Sequence, residues 1–452
     1  MNFEAKIGDF IAKNRLLDRE KRYLVALSGG ADSVCLLRVL QRLGYTVEAA
    51  HCNFQLRGEE SNRDERFCAS LCRQQNIPFH RTQFDTKTYA REHGVSIEMA
   101  ARELRYHYFH ELLETIGFQG VCVAHHLDDN AETILLNLVR GTGLHGLTGM
   151  SPRRDFVLRP MLGVSRDEIV DYLRQIGQPY VTDSTNLQPD HVRNKIRLQV
   201  VPLLKEINPS VVRELCTMAS HLTDAETLLN HTLDQTTTEF STDLSEKPPF
   251  LRQIDVPQLL RQPSPAYALY HLLSSFGFNR SQMGEILASA EKSEHSGRQW
   301  HSSDHTLTLD RDSLVLSKKS TENASPIVVS EAGEYVLDDL GRLRVEIFPK
   351  TADFIVDKRP QVAVLDADKA SLPLTLRKTQ TGDRFVPFGM RGSKLVSDYL
   401  TDRKKSLPEK KNQWVLTDES GQILWLAGER TDNRFAVSPQ TKTILRLTLI
   451  HL

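Results

Sequence analysis

Ser28, Asp32 and Ser33 stand around the pair Gly29-Gly30, between the short apolar run Tyr23-Leu24-Val25-Ala26-Leu27 and the helical pattern Val34, Leu36, Leu37, Val39, Leu40. Two glycines let the backbone turn tightly and approach a ligand. Two hydroxyls and the free amides of a helix start offer donors to an anion. Residues Ser28, Gly29, Gly30, Ala31, Asp32 and Ser33 therefore read as a phosphate cradle. The Walker pattern Gly-X-X-X-X-Gly-Lys-Ser/Thr is absent, so no lysine reaches a γ-phosphate. A cradle that grips pyrophosphate suits cleavage between the α- and β-phosphates, which leaves an adenylate on the substrate. Gly-Gly alone would support no more than a turn; the flanking serines and aspartate favour the anion.

A second cluster is His125-His126-Leu127-Asp128-Asp129-Asn130-Ala131-Glu132-Thr133. Three carboxylates beside a triphosphate can hold magnesium or an ammonium group, and Asp128 and Glu132, four apart, are expected on one helix face. An acidic first turn that complements the helix dipole explains one or two of these acids but leaves the histidines unexplained. Adjacent histidines without cysteine spacing make a poor zinc set. Arg102, Arg105 and Tyr106 fall within a turn and a half, either as a phosphate clamp or as a solvated face of Glu–Arg pairs. The polar loop Asp183-Ser184-Thr185-Asn186 precedes His191-Val192-Arg193-Asn194-Lys195-Ile196-Arg197. Basic residues disfavour a helix N-terminus, so this clustering points to an anionic partner.

The elements that must position these groups alternate. After the first strand and helix come a strand at Val47–His51, a helix over Arg63–Gln75, a strand at Phe79–Thr82 and a helix from Ser96 to Glu114. A fourth strand at Val121–Ala124 leads into a helix from Asp128 to Val139. Right-handed crossovers stack such units into a doubly wound, Rossmann-like parallel sheet whose ligand site lies at the carboxyl ends of the strands. Both clusters sit at such ends.

Composition sets the outer bounds. A chain of 452 residues, 40% hydrophobic and 25% charged, fits a soluble globular protein of about three domains. The start, Met1-Asn2-Phe3-Glu4-Ala5-Lys6, lacks the apolar stretch of a signal peptide, and the longest apolar runs are of strand length, so a cytoplasmic protein without a membrane partner is expected. Cys35, Cys52, Cys68, Cys72, Cys122 and Cys216 include no Cys-X-X-Cys pair and read as small core hydrophobes. A net charge of −1 gives no global attraction to nucleic acid.

Taken in order, Ser-Gly-Gly-Ala-Asp-Ser, His51-X-Asn53-X-X-Leu56-Arg57, Ala-Ala-Arg-X-X-Arg-Tyr, His-X-X-Asp-Asp-X-X-Glu-Thr, Arg140-Gly141-Thr142-Gly143, Arg159-Pro160 and Asp-Ser-Thr-Asn…Arg-Asn-Lys-Ile-Arg resemble the tRNA(Ile)-lysidine synthetase family of PP-loop (N-type) ATP pyrophosphatases. The likeness extends to Thr381-Gly382-Asp383-Arg384-Phe385-X-Pro387-X-Gly389-Met390 and to Ile423-Leu424-Trp425-Leu426-Ala427-Gly428-X-Arg430-X-Asp432-X-Arg434-Phe435. Phe54 departs from the pattern, since relatives often carry histidine there. The resemblance implies a ligase that joins L-lysine to the wobble cytidine of the tRNA(Ile) bearing a CAU anticodon, with ATP as co-substrate and Mg2+ held through Asp32. It implies catalytic roles for Asp32, Arg102, Asp128, Asp129 and Glu132, and substrate or tRNA contacts for Arg105, Arg159, Arg193, Asn194 and Arg197. A homodimer is compatible with it. A PP-loop thiolase would need a cysteine pair or an iron–sulfur site, a GMP-synthetase-like enzyme an ammonia source, and a tRNA-binding module with a degenerate nucleotide site no chemistry at all.

Three domains are expected: a catalytic domain over 1–206, a mostly helical tRNA-binding domain over 207–318, and a β-rich tRNA-binding domain over 328–452. The middle stretch opens with helical patterns at Val211–Leu229 and Pro265–Phe276 and closes on a hairpin at Thr306–Ser317; a polar linker, Lys318–Pro326, follows. Between Gly389 and Lys411, seven basic residues, Arg403, Lys404 and Lys405 among them, face three acids. This excess is a candidate tRNA-backbone contact, against the plainer reading of a solvated face.

Overall fold

The computed structural model describes residues 2–182, 192–246, 249–292, 297–319, 325–337 and 341–450. The chain divides into two compact units, Met1–Leu229 and Asn230–Leu452.

The first unit opens with α1 (Phe3–Lys13), then β1 (Arg22–Ala26), α2 (Ala31–Arg42), β2 (Thr46–Asn53), α3 (Glu59–Gln74), β3 (Phe79–Gln83), α4 (Thr86–His93) and α5 (Ile97–Ile116). It continues through β4 (Val121–Cys122), α6 (Leu127–Val139), α7 (Leu144–Leu147), β5 (Arg153–Arg154), β6 (Val157–Leu158) and α8 (Arg166–Gln175). The strands form one six-stranded sheet in the order β3-β2-β1-β4-β6-β5, parallel except for β5. The expected doubly wound sheet is present. Strand order reverses between β1 and β4, which is where such sheets open a crevice at their carboxyl ends.

Local chemistry sets the helix ends. Ser96 caps α5 by accepting from the Met99 amide, and Gly117, at φ +80°, terminates it. Ser165 and Glu168 form a reciprocal capping box on α8. One sheet face buries Leu36, Leu37 and Leu40 of α2 with Ile7 of α1 and Leu173 of α8, and the other buries Phe109 and Leu112 of α5 against Leu24 and Ala50. Each large apolar side chain so buried contributes about 1.5–3 kcal/mol. The strand expected over Val121–Ala124 ends at Cys122, although the Val123 amide still donates to the Leu158 carbonyl at 2.9 Å.

Beyond residue 191, a short helix α9 (Val192–Lys195) runs into a π turn, Ile196–Val200, and then into α10 (Val201–Ile207) and α11 (Val211–Phe240). The expected loop Asp183-Ser184-Thr185-Asn186 and His191 lie outside the described residues. In the second unit, the hairpin expected at 306–317 is the centre of a five-stranded antiparallel sheet. Its outer strands, such as Ser241–Asp243 and Gln299–His301, are too short to show alternation in sequence. Helices Pro265–Ser274 and Arg280–Glu291 share a core with this sheet around Leu269, Ile286 and Leu316. The remainder is β-rich as expected: a five-stranded and a four-stranded sheet share a core that includes Trp425, Leu416 and Leu445. Among the described residues no helix is long and apolar enough to cross a membrane.

Candidate active site

A cleft of about 680 Å³ opens at the carboxyl ends of β1, β2 and β4, and Ser28, Asp32, Asn53, Arg102, His125 and Asp129 are among the residues lining it. The cradle occupies its expected place. Gly29 sits at φ +91°, a conformation that strains any L side chain, and a Cβ there would stand 3.3 Å from Cys68 Sγ. The two serines behave differently from expectation. Ser28 Oγ and Ser33 Oγ lie 3.1 Å apart, the Ser28 amide donates to Ser33 Oγ at 3.1 Å, and Ser33 Oγ donates to the Gly30 carbonyl at 3.1 Å. Ser33 is 5% exposed and its hydroxyl locks the loop, and both serines line the cleft. The donors that can meet an anion include the exposed Ser28 hydroxyl and the first-turn amides of α2, whose N-cap Gly30 supplies no side-chain acceptor.

Asp32 leaves the loop toward α6 and α8. Its Oδ1 pairs with the guanidinium of Arg166 and lies 3.7 Å from His126 Nε2. His126 is buried among three aspartates, with Asp129 Oδ2 3.4 Å from Nε2 and Asp128 Oδ2 3.5 Å from Nδ1. Burial opposes the imidazolium, but the three carboxylates outweigh it and raise the His126 pKa. Burial likewise opposes the Asp128 carboxylate, yet His126 and the Arg166 backbone N–H, donating at 2.8 Å, hold it at about 2.

The expected sharing of one face by Asp128 and Glu132 gives way to a different pairing. Asp128 turns to α8, while Asp129 and Glu132 together grip two arginines from the α9–π turn. Arg193 Nε donates to Glu132 Oε2 at 2.9 Å and its Nη2 to Asp129 Oδ1 at 3.2 Å; Arg197 Nε donates to Glu132 Oε1 at 2.6 Å and its Nη2 to Asp129 Oδ1 at 3.1 Å. The anion that the Arg193–Arg197 cluster meets is thus this acid pair of the same unit. Glu132 is 2% exposed and depends on these partners for its charge. Asn194, between them, is half-buried.

The clamp residues line the cleft as aromatic-backed cations. Arg102 lies 5.0 Å from the Tyr106 ring and Arg105 5.2 Å from the Phe54 ring, which stacks on Phe84. Arg159, expected at a substrate, is instead 9% exposed and donates to His125 Nδ1 at 3.1 Å and to the Ser151 carbonyl at 2.8 Å. Sequence reasoning missed Arg166: the sign that could have found it is a basic residue in the first turn of a helix whose capping box is already complete. It also missed Glu65, which fixes Asn53 through a 2.8 Å hydrogen bond and carries Arg81 and Gln83 on the same carboxylate. Burial raises the cysteine thiols, Cys52 and Cys72 to about 12 and Cys216 to about 11. Such thiols pack rather than react.

The distal patch is less open than its composition. Lys405 Nζ pairs with Glu429 at 2.7 Å, Arg403 approaches the same carboxylate at 3.6 Å, and Lys394 pairs with Asp402. Arg403 and Lys404 are exposed, whereas Lys405 is half-buried.

A glycine cradle on the first strand of a switch-point crevice, with an acid cluster on the neighbouring strand end, defines an ATP-binding PP-loop protein, and a family model described as the PP-loop domain matches residues 1–204. A second model, the TilS substrate binding domain, matches residues 251–319. The tRNA(Ile)-lysidine synthase of Bacteroides thetaiotaomicron is 45% identical over 445 residues, 98% of each chain. That of Parabacteroides distasonis is 45% identical over 437 residues, 96% of this chain and 97% of its own, and that of Porphyromonas gingivalis strain W83 is 39% identical over 95% of each. The chain belongs to the tRNA(Ile)-lysidine synthase family.

Two outcomes follow from the charge cluster. Replacing Arg193 and Arg197 together by alanine leaves Glu132 buried without either partner and is expected to cost about 3–5 kcal/mol in urea unfolding. Adding Glu132→Gln should return most of it; equal instability of the double and triple variants would contradict the pairing. Because the folded-state pKa of Asp128 is depressed to about 2 from an ordinary value of about 3.9, its stabilising contribution is complete above that range. The contribution is lost as pH falls toward 2. The urea midpoint of wild type should therefore exceed that of Asp128→Asn by a margin that shrinks on acidification.

Proposed function

We propose that this protein is a cytoplasmic ATP-dependent ligase that joins L-lysine to the wobble cytidine of tRNA(Ile) bearing a CAU anticodon. The observation that carries the reading is that the cradle and Asp129 line one cleft at the ends of adjacent strands, with Glu132 buried behind Asp129 and the two together already holding two cations. Membership of the tRNA(Ile)-lysidine synthase family supports it. We assign 1–206 to catalysis, and 207–318 and 328–452 to holding the tRNA.

The cytidine 2-carbonyl oxygen attacks the α-phosphorus of ATP, and pyrophosphate leaves along the α2 amides. The carbonyl oxygen, a poor leaving group, is now a phosphate ester. The ε-amine of lysine, deprotonated by a carboxylate, adds to that carbon; the C–N bond forms, the C–O bond breaks and AMP departs. Asp129 and Glu132 accept the lysine ammonium in place of a guanidinium, so Arg193 or Arg197 must yield its position. Arg102 and Arg105 stand where they can balance phosphate charge. The protein's share of the chemistry is placement and electrostatics.

Magnesium fits this donor set in one way. Among the described residues no group of three or more His, Cys, Asp or Glu forms a metal cage, and Asp32 offers a single carboxylate beside the cradle. That suits an ion held by one or two carboxylates together with phosphates, where it would supply neutralisation of the leaving pyrophosphate.

Single-turnover reactions that follow adenylated tRNA and lysidine-containing tRNA separately test the assignments. Asp32→Ala should fold and lose adenylation, and pyrophosphate release at the wild-type rate would refute its role. Glu132→Gln should still form the adenylate while needing far more lysine to consume it; loss of both products together would place Glu132 in the first step. For the distal patch, alanine at Arg403 and Lys404, leaving the Lys405–Glu429 pair intact, should weaken tRNA binding and lower the salt slope by about 1 per lost phosphate contact. An unchanged slope removes the patch from the interface.

A further inference from the structure

Arg159 makes an unusual use of its charge. A guanidinium has only donors and does not deprotonate, so the 3.1 Å contact from Arg159 Nε requires His125 Nδ1 to be the acceptor. The imidazole proton then resides on Nε2. Arg159 is itself buried and fixed by the Ser151 carbonyl, so the constraint is built into the fold. His125 lines the cleft, and among the described residues its Nε2 has no hydrogen-bond partner.

The strand order shows which part of the cleft His125 borders. Val25 of β1 is paired with Cys122 of β4, and beyond these two adjacent strand ends Ser28 and His125 line the same cleft. The strand order reverses between these two strands, so His125 and the first residue of the cradle border the same crevice from its two sides. Resting on the ATP-dependent reading above, we infer that His125 Nε2–H is a hydrogen-bond donor to the α-phosphoryl oxygen of the bound nucleotide, and that Arg159 is the positioning residue which holds it in that tautomer. The α2 amides take the departing phosphates and His125 takes the oxygen on the phosphorus under attack, where charge grows in the transition state. Burial and the adjacent Arg159 charge also push the His125 pKa down to about 4, so the donor stays neutral through the physiological range.

Adenylation of tRNA by the full-length protein, measured in a single turnover, tests the pair. His125→Ala should lower the adenylation rate by about 10²–10³-fold, the loss typical of one donor to a developing oxyanion. His125→Gln, which keeps an N–H, should recover part of it. Arg159→Met frees the tautomer: at neutral pH the proton can move to Nδ1, and as pH falls through the imidazole's own titration, which burial keeps below the ordinary range, both nitrogens carry protons. The ratio of the Arg159→Met rate to the wild-type rate should therefore rise as pH falls through that titration, whereas a packing role would leave it constant. Histidine-selective 15N spectra should show His125 Nδ1 unprotonated in wild type. A wild-type adenylation rate in His125→Ala, a raised KM for tRNA with no change in that rate, a pH-independent ratio or a protonated Nδ1 would each overturn the proposal. Failure of wild type itself to adenylate tRNA would instead sink the functional reading beneath it.

Discussion

Everything at this site depends on how a dense set of charges is neutralised at the carboxyl edge of a buried sheet. Asp32, Asp128, Asp129 and Glu132 converge within the reach of His126, Arg166, Arg193 and Arg197, and the acid at the centre, Glu132, is almost wholly removed from water. An unpaired carboxylate in such a place would lose its charge or unfold its surroundings. The fold answers with cations from α8 and from the helical turns after residue 191. On the proposed function these are the positions the lysine ammonium competes for, so the resting charge balance and ligand recognition share the same groups.

That competition makes physical sense of the sequence order. The cradle lies early, on β1, and the acids lie on the adjacent β4 because the strand order reverses there. The arginines that neutralise the acids come from 61 to 68 residues further along. A guanidinium fork satisfies two carboxylates at once, whereas an ammonium is a point charge, so exchange of one for the other alters geometry as well as partner. On the proposed function, entry of the lysine ammonium at this acid pair displaces Arg193 or Arg197 from it.

Much of this was legible in sequence, for identifiable reasons. The Gly29 turn, the apolar run before it and the alternation of strands and helices are local signals, and they placed the sheet and both clusters correctly. Side-chain partnerships were not legible, because they are set by long-range packing. Nothing near Ser33 shows that its hydroxyl closes on Ser28 and Gly30, and nothing near Arg159 shows that it turns inward to His125. The basic residues at 193 and 197 were read as facing an outside anion, when an acid pair four elements away was waiting for them. In the second unit, the composition of 389–411 overstated its open charge, since Glu429 lies outside that window and removes part of it.

The central claim is that the cytidine oxygen is activated by adenylation before lysine replaces it. A tRNA carrying 18O at the 2-carbonyl of the target cytidine tests this directly when the reaction is run to completion with ATP and lysine. The account predicts one 18O in the released AMP and none in pyrophosphate, because the C–O bond breaks after the P–O bond has formed. Label lost to water, or recovered in pyrophosphate, would contradict it.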